Sequence, residues 1–316
     1  MLFFMLFMPV SLYAQKQAYV PRSAKEYNSI KKKFSLSQKE IDDSLVLAHG
    51  KENRELINAI LRYLKYKNLI KQTSNLPPFY VILSNNNKGL YFLGGLYNSS
   101  DNILLINANH LLSYSQRDGL LQHQRLAIDF VTFASIISHE LIHYEDAKEA
   151  KDKMVLQAVS LSERDAYRRS EKVIEYFLKM QKAEADEIIP IEGFYETMQA
   201  AEPYFINMRK NYMTIAKAAD IFLKNEKQIC KTLGIDKTVF DMFSFLPELQ
   251  FNAKNGGHIV IAESGFADFP QKLRFEVNTI SDTAVLISNK AEIAAFQKQM
   301  KGITIISNTI YIKTDN

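Results

Sequence analysis

The chain has 316 residues, 47% of them hydrophobic and 23% charged, which excludes a wholly disordered or low-complexity protein. Its 39 Lys and Arg against 35 Asp and Glu leave a formal net charge of +4 with both signs interspersed, so the composition predicts no nucleic-acid partner. A single Cys excludes an intrachain disulfide framework, and the length predicts about two domains or one large domain with an appendage.

Residues 1–14, MLFFMLFMPVSLYA, carry no charge. This run is too short for a membrane-spanning helix, which needs about 20 residues. It matches the apolar region of a secretory signal peptide, with Ala14 as the small residue before the cleavage point. The expectation is export to the periplasm or the medium, with no stable membrane insertion once the signal is removed. No Cys follows the run to serve as a lipid anchor.

Residues 16–34 are basic and mixed, and Lys31, Lys32 and Lys33 read as a solvated helix face. Ser37 with Glu40 three residues on is a capping-box pattern that opens a helix to about Ala48. Residues 51–72 place Leu56, Ile57, Ile60, Leu61, Leu64 and Ile70 at helical spacing, and Pro77-Pro78 ends this helical region. The texture then becomes β-like. FYVIL (79–83), residues 90–93 and ILLIN (103–107), separated by Asn-, Ser- and Gly-rich turns, predict a small antiparallel sheet. Helices are predicted over 122–150, 160–182 and 202–233, with an acidic loop at 184–203 broken by Pro190, Gly193 and Pro203. The segment 127–142 is apolar nearly all round, which marks a helix buried in the middle of its domain. From Gly256 onward, strands are expected at 258–262, 273–277, 284–287 and 303–312, with one helix at 290–300. The predicted organisation is a signal peptide (1–14), a helical N-terminal segment with the main domain (15–233), and a small α+β accessory domain (234–316).

The buried helix carries His139-Glu140-Leu141-Ile142-His143, an H-E-x-x-H motif. Four helical residues advance about 6 Å and turn about 400°, so the two imidazoles stand one turn apart and nearly in register. Both Nε2 atoms can then reach one metal ion, as zinc ligands do at about 2.0–2.1 Å. Glu140 lies about 100° round the helix, beside such an ion rather than on it. A zinc ion with three protein ligands keeps one position for water and acidifies that water to a pKa of about 7, and the flanking carboxylate takes the proton as general base. The third ligand is expected to be Glu163, 20 residues beyond His143 on the next helix, where it shares a face with Ala166, Tyr167 and Ser170. Asp146, on the stripe of His139, is an alternative as ligand or as partner of a ligand His. Glu149 would need a sharp turn that normally uses Gly, and Asp146 stands at that position. Asp165 and Tyr167 are lesser candidates for orienting a ligand or binding an oxyanion, although a Tyr in such a place more often only packs. His49, His110, His123 and His258 stand alone and read as surface or capping residues, and Cys230 reads as a small buried apolar residue.

HELIH on a buried helix, followed after 20 residues by Glu163 on another, resembles the gluzincin branch of the zincin metallopeptidases. The resemblance covers about residues 79–182. It implies an α+β zincin-like catalytic domain, a bound Zn2+, His139, His143 and Glu163 as metal ligands, and Glu140 as the general base of peptide hydrolysis. It also implies an edge strand that holds an extended peptide or protein substrate, for which residues 103–107 are the candidate. The chain departs from the family at Tyr167, where an Asp is usual four residues after the ligand Glu. The expected function is therefore that of an exported zinc metallopeptidase. Two alternatives use the same residues: a binding or scaffold protein with a structural or vestigial metal site, and a metal hydrolase acting on a non-peptide amide.

Overall fold

In the computed structural model, residues 19–70, 76–84, 94–109, 122–189, 191–252, 257–264, 272–277, 283–287 and 309–315 are described. The N-terminal part is a run of three helices, α1 (Ala24–Lys31), α2 (Gln38–His49) and α3 (Lys51–Tyr66). Two capping boxes open the first two. Ser23 and Glu26 exchange hydrogen bonds at α1, and Ser37 and Glu40 do so at α2. These pairs satisfy N–H groups that a helix start leaves without partners. The helices are tied to the sheet by named polar contacts. Tyr27 Oη donates to the Val81 carbonyl at 2.8 Å, and the Leu83 N–H donates to Ser44 Oγ at 2.8 Å.

The first sheet contains β1 (Phe79–Ile82), β2 (Gly95–Asn98) and β3 (Ile103–Asn107), in the order β1-β3-β2. β2 pairs antiparallel with β3, whereas β1 pairs parallel with β3. The sheet is therefore mixed rather than antiparallel, and β3 is its centre rather than its edge. The short turn after Asn98 makes β2 and β3 a hairpin. Burial agrees with this order. β3 is buried at all five positions and β2 is half-buried throughout. A strand covered on both faces reads as a continuous apolar run.

The core of the molecule is α4 (Gln122–Asp152), 31 residues long, and α5 (Val159–Leu178), which packs along it. The middle of α4 is buried on nearly every side, including Phe130, Val131, Ala134, Ile137 and Leu141. Its buried hydroxyls bond back into the helix: Thr132 Oγ1 to the Ile128 carbonyl, Ser135 Oγ to that of Thr132, and Ser138 Oγ to that of Ser135. Such back-bonding lets small polar residues sit in an apolar interior without an orphaned donor.

The segment expected as a loop at 184–203 instead contains α6 (Lys182–Ile188) and α7 (Phe194–Ala200). Gly193, at φ 65°, makes the turn between them, and Ala185, Phe194 and Met198 enter the core. Pro203 stands in the first turn of α8 (Glu202–Lys224), where a missing N–H leaves no helical bond unmade. The helix expected to run to Leu233 breaks at Asn225, and α9 (Glu226–Leu233) and α10 (Lys237–Asp241) follow. Cys230 is half-buried rather than buried, with its Sγ 3.9 Å from the Asp236 carbonyl.

The second sheet has the order β4-β5-β6-β8-β7, from β4 (Phe243–Asn252), β5 (Gly257–Ser264), β6 (Lys272–Val277), β7 (Thr283–Ile287) and β8 (Thr309–Asp315). β4 was not expected from the sequence. Its pairing with β5 is interrupted between Leu246 and Gln250, a stretch that contains Pro247. A second hydrophobic core joins α5, α8, α9 and α10 to β4 and β5 through Tyr167, Phe222, Ile229, Ile235, Phe240, Phe243, Phe245 and Val260. The expected boundary at residue 234 falls within this core. Among the described residues no helix is long and apolar enough to cross a membrane. Residues 1–14, the strand expected at 90–93 and the helix expected at 290–300 lie outside the described residues. The chain is mixed α+β, mostly helical, with a small three-stranded sheet beside its longest helix.

Ser37→Ala removes a cap whose hydroxyl lies 2.8 Å from the buried Glu40 carboxylate. It is expected to lower the free energy of unfolding by about 1 kcal/mol, read as a shift in the urea midpoint with an unchanged slope.

Candidate metal centre

His139, Glu140 and His143 lie in the last half of α4, and Glu163 in the first turn and a half of α5. The close approach of the two helices has a local cause. Ala166 and Ser170, on the face of Glu163, are fully buried, and Ser170 Oγ donates to the Ser135 carbonyl at 3.1 Å. Small side chains at that crossing bring Glu163 against the histidines.

Three ligand atoms converge there. His139 Nε2 and His143 Nε2 are 3.2 Å apart, and Glu163 Oε2 is 3.5 Å from the first and 3.8 Å from the second. A tetrahedral zinc ion with ligands at about 2.0–2.1 Å separates its ligand atoms by about 3.3–3.4 Å. The donor set has the chemistry and the spacing for such an ion, and among the described residues it is the group of His and carboxylate side chains able to hold one. Between 14 and 15% of each side chain remains open to solvent, so the cluster has access from outside rather than being sealed in the core.

Electrostatics follow from burial. Burial pulls the His143 imidazole down to a pKa of about 4, against the opposing pull of Glu163, so this ring is neutral at physiological pH. Burial alone would also raise Glu163, but the neighbouring His143 and the hydrogen bond from His139 hold it below its ordinary range. Burial opposes charge on His139, yet the bond to Glu163 and the carboxylates of Glu140 and Glu163 raise it overall. Burial pushes the Glu140 carboxyl up to about 7.

Glu140 is set apart from the three. It is buried, and its Oε2 accepts a hydrogen bond from the Tyr97 main-chain N–H at 2.7 Å. β2, the outer strand of the sheet, is therefore fastened directly to the helix beside the cluster. Gly95 makes this contact possible. A Cβ there would stand 2.8 Å from Glu140 Cγ and 2.8 Å from Ile136 Cγ2, and one on Gly94 would stand 2.9 Å from Ile136 Cδ1.

The other expected candidates fall elsewhere. Asp146 is outside the three-atom cluster and instead hydrogen-bonds to Ser162. Glu149 is exposed and paired with Lys153 at 2.5 Å. Asp165 pairs with Arg164 and Arg168. The Tyr167 ring packs edge-on against His139 with centroids 4.6 Å apart, and its hydroxyl donates to the Phe245 carbonyl at 3.1 Å. Burial pushes that phenol well above its ordinary pKa. His49 Nε2 meets the Arg22 carbonyl at 3.0 Å, a surface contact. His110 and the side chains of His123 and His258 lie outside the described residues.

Sequence reasoning missed three contributors. Tyr97 acts through a main-chain N–H, which no side-chain motif reports. Ser162 lies 2.8 Å by its Oγ from His143 Nδ1, and Gln157 Nε2 donates to both the His143 carbonyl and Ser162 Oγ. The only signal for Ser162 was its place immediately before Glu163.

No protein-family model, curated protein or solved structure matches the chain.

Gly95→Ala forces a methyl group into Glu140 and Ile136. It is expected to destabilise the protein by about 1–3 kcal/mol, measured by chemical denaturation, while an alanine at exposed Gly234 meets no neighbour within 4 Å and carries only the strain of φ +64°.

Proposed function

We propose that this chain is a zinc-dependent metallopeptidase of the gluzincin kind. The observation that carries the reading is the meeting of His139 Nε2, His143 Nε2 and Glu163 Oε2 within one ion's coordination distance, with Glu140 beside them and not among them. His139, His143 and Glu163 would hold the zinc ion. When bound, the ion supplies Lewis acidity, which acidifies a water and polarises a carbonyl oxygen.

The remaining work falls to the chain's own groups. Glu140 takes the proton from the attacking water and delivers it to the departing amine, a role worth about 10²–10⁴-fold in rate. The Tyr97 N–H fixes one oxygen of the Glu140 carboxylate and leaves the other for that proton. An extended peptide is held along β2 by main-chain hydrogen bonds, with Gly94 and Gly95 letting strand and helix approach closely. β2 takes the part expected of residues 103–107, which lie one strand further in. Export by residues 1–14 belongs to the same proposal and rests on their sequence.

Glu140→Gln keeps the shape and removes the base. The variant should retain about one zinc per chain and lose about 10²–10⁴-fold of peptide hydrolysis, measured on a library of quenched fluorescent peptides. Undiminished hydrolysis by Glu140→Gln would contradict the assignment of the base. A zinc-loaded wild-type chain that cleaves no peptide would favour a structural metal or a non-peptide amide substrate.

A further inference from the structure

We propose that Ser162 and Asp146 are positioning residues that place the proton of His143 on Nδ1 and so leave its Nε2 lone pair for a metal ion. The inference rests on the zinc reading above for its purpose, and on a hydrogen-bond inventory for its content.

A serine hydroxyl has one proton to give and two lone pairs to offer. Ser162 Oγ, fully buried, has three polar neighbours: Gln157 Nε2 at 3.4 Å, His143 Nδ1 at 2.8 Å and the Asp146 carboxylate. Gln157 is fixed as a donor. Its Nε2 also lies 3.3 Å from the His143 main-chain carbonyl, which can only accept, so the amide presents its NH2 group to this corner. Asp146, as a carboxylate, can only accept. Burial, with Asp165 and Glu145, raises its carboxyl above the ordinary range, while the hydrogen bond from Ser162 and the charge of Arg169 hold the charged form against that rise. The serine proton therefore goes to Asp146, one serine lone pair receives Gln157, and the other is left for His143. That last bond forms only if Nδ1 carries the hydrogen. The neutral ring then has its proton on Nδ1 and a lone pair on Nε2, directed at the point shared with His139 Nε2 and Glu163 Oε2.

Gln157 and Ser162 also tie the turn after α4 to the start of α5. The group that orients His143 is thus next in sequence to the third ligand, Glu163, and one short segment sets both. Partners that orient a ligand histidine are typically worth 10–100-fold in metal affinity.

Two variants and two readouts test this. Ser162→Ala removes the acceptor. Asp146→Asn keeps the shape but offers an NH2 donor to Ser162, which turns the serine proton toward His143 Nδ1 and moves the ring hydrogen to Nε2. The metal-free full-length protein, labelled with 15N at histidine, should show His143 as the Nδ1–H tautomer in the wild type and as Nε2–H in Asp146→Asn. Zinc affinity, measured by competition with a chelator, should fall about 10–100-fold in Ser162→Ala and at least as far in Asp146→Asn, with Ser162→Thr recovering most of the loss. A wild-type His143 found as Nε2–H overturns the proposal, as does zinc affinity within about twofold of wild type in both variants. If the wild type shows the Nδ1–H tautomer and the Asp146→Asn reversal but binds no zinc, the proton relay stands and the metallopeptidase reading fails.

Discussion

Two imidazole nitrogens 3.2 Å apart in a half-buried site are the constraint on which the rest of this structure turns. If both are bare lone pairs they repel, so a cation or a shared proton must lie between them, and a carboxylate oxygen 3.5 and 3.8 Å away supplies the opposite charge. Placing such a group inside an apolar helix is costly unless every member is satisfied. The surroundings are arranged accordingly. The serines and threonine of α4 bond into their own helix, Ala166 and Ser170 let α5 approach, and Ser162, Gln157 and Asp146 close the network behind His143.

The site is also braced from two sides by elements that contribute none of the three converging atoms. On one side β2 runs against α4 so closely that a side chain on Gly95 would meet Glu140 and Ile136, and its Tyr97 N–H fixes Glu140. On the other side Tyr167 packs against His139 and donates to the Phe245 carbonyl of the second sheet. Tyr167 belongs to the second hydrophobic core, so the C-terminal sheet supports the ring of a candidate ligand through one buried phenol. An Asp at this position would hold a histidine by charge; here an aromatic contact and a main-chain bond occupy the same place.

Much of this was legible in the sequence, for identifiable reasons. The one-turn spacing of His139 and His143 follows from helix geometry alone, and the apolar stretch around them identified a buried helix. The capping box at Ser37 and Glu40 stands as its residue types imply. The order of strands was less accessible. The unbroken run ILLIN signals a strand covered on both faces, but the family resemblance marked it as the edge, and the outer strand at 95–98 was not expected, because Gly94-Gly95 and the Asn- and Ser-rich turn read as breaks. Short helices at 182–188 and 194–200 were hidden because Pro190 and Gly193 mark breaks without saying whether helix resumes between them. The polar contacts that orient the site were invisible because they depend on a main-chain N–H at Tyr97 and on a serine and a glutamine with no periodic pattern. Tertiary approach brings them together, and local sequence does not record it.

The central claim is that one divalent ion joins the two imidazoles of α4 to the carboxylate of α5. X-ray absorption at the zinc edge of the purified, zinc-equilibrated chain tests it most directly. The account predicts one zinc per chain with imidazole scattering from two histidines and nitrogen or oxygen ligands at about 2.0–2.1 Å, and a weakened hold on zinc in Glu163→Ala. A chain that takes up no zinc, or a zinc signal without imidazole scattering, would contradict it.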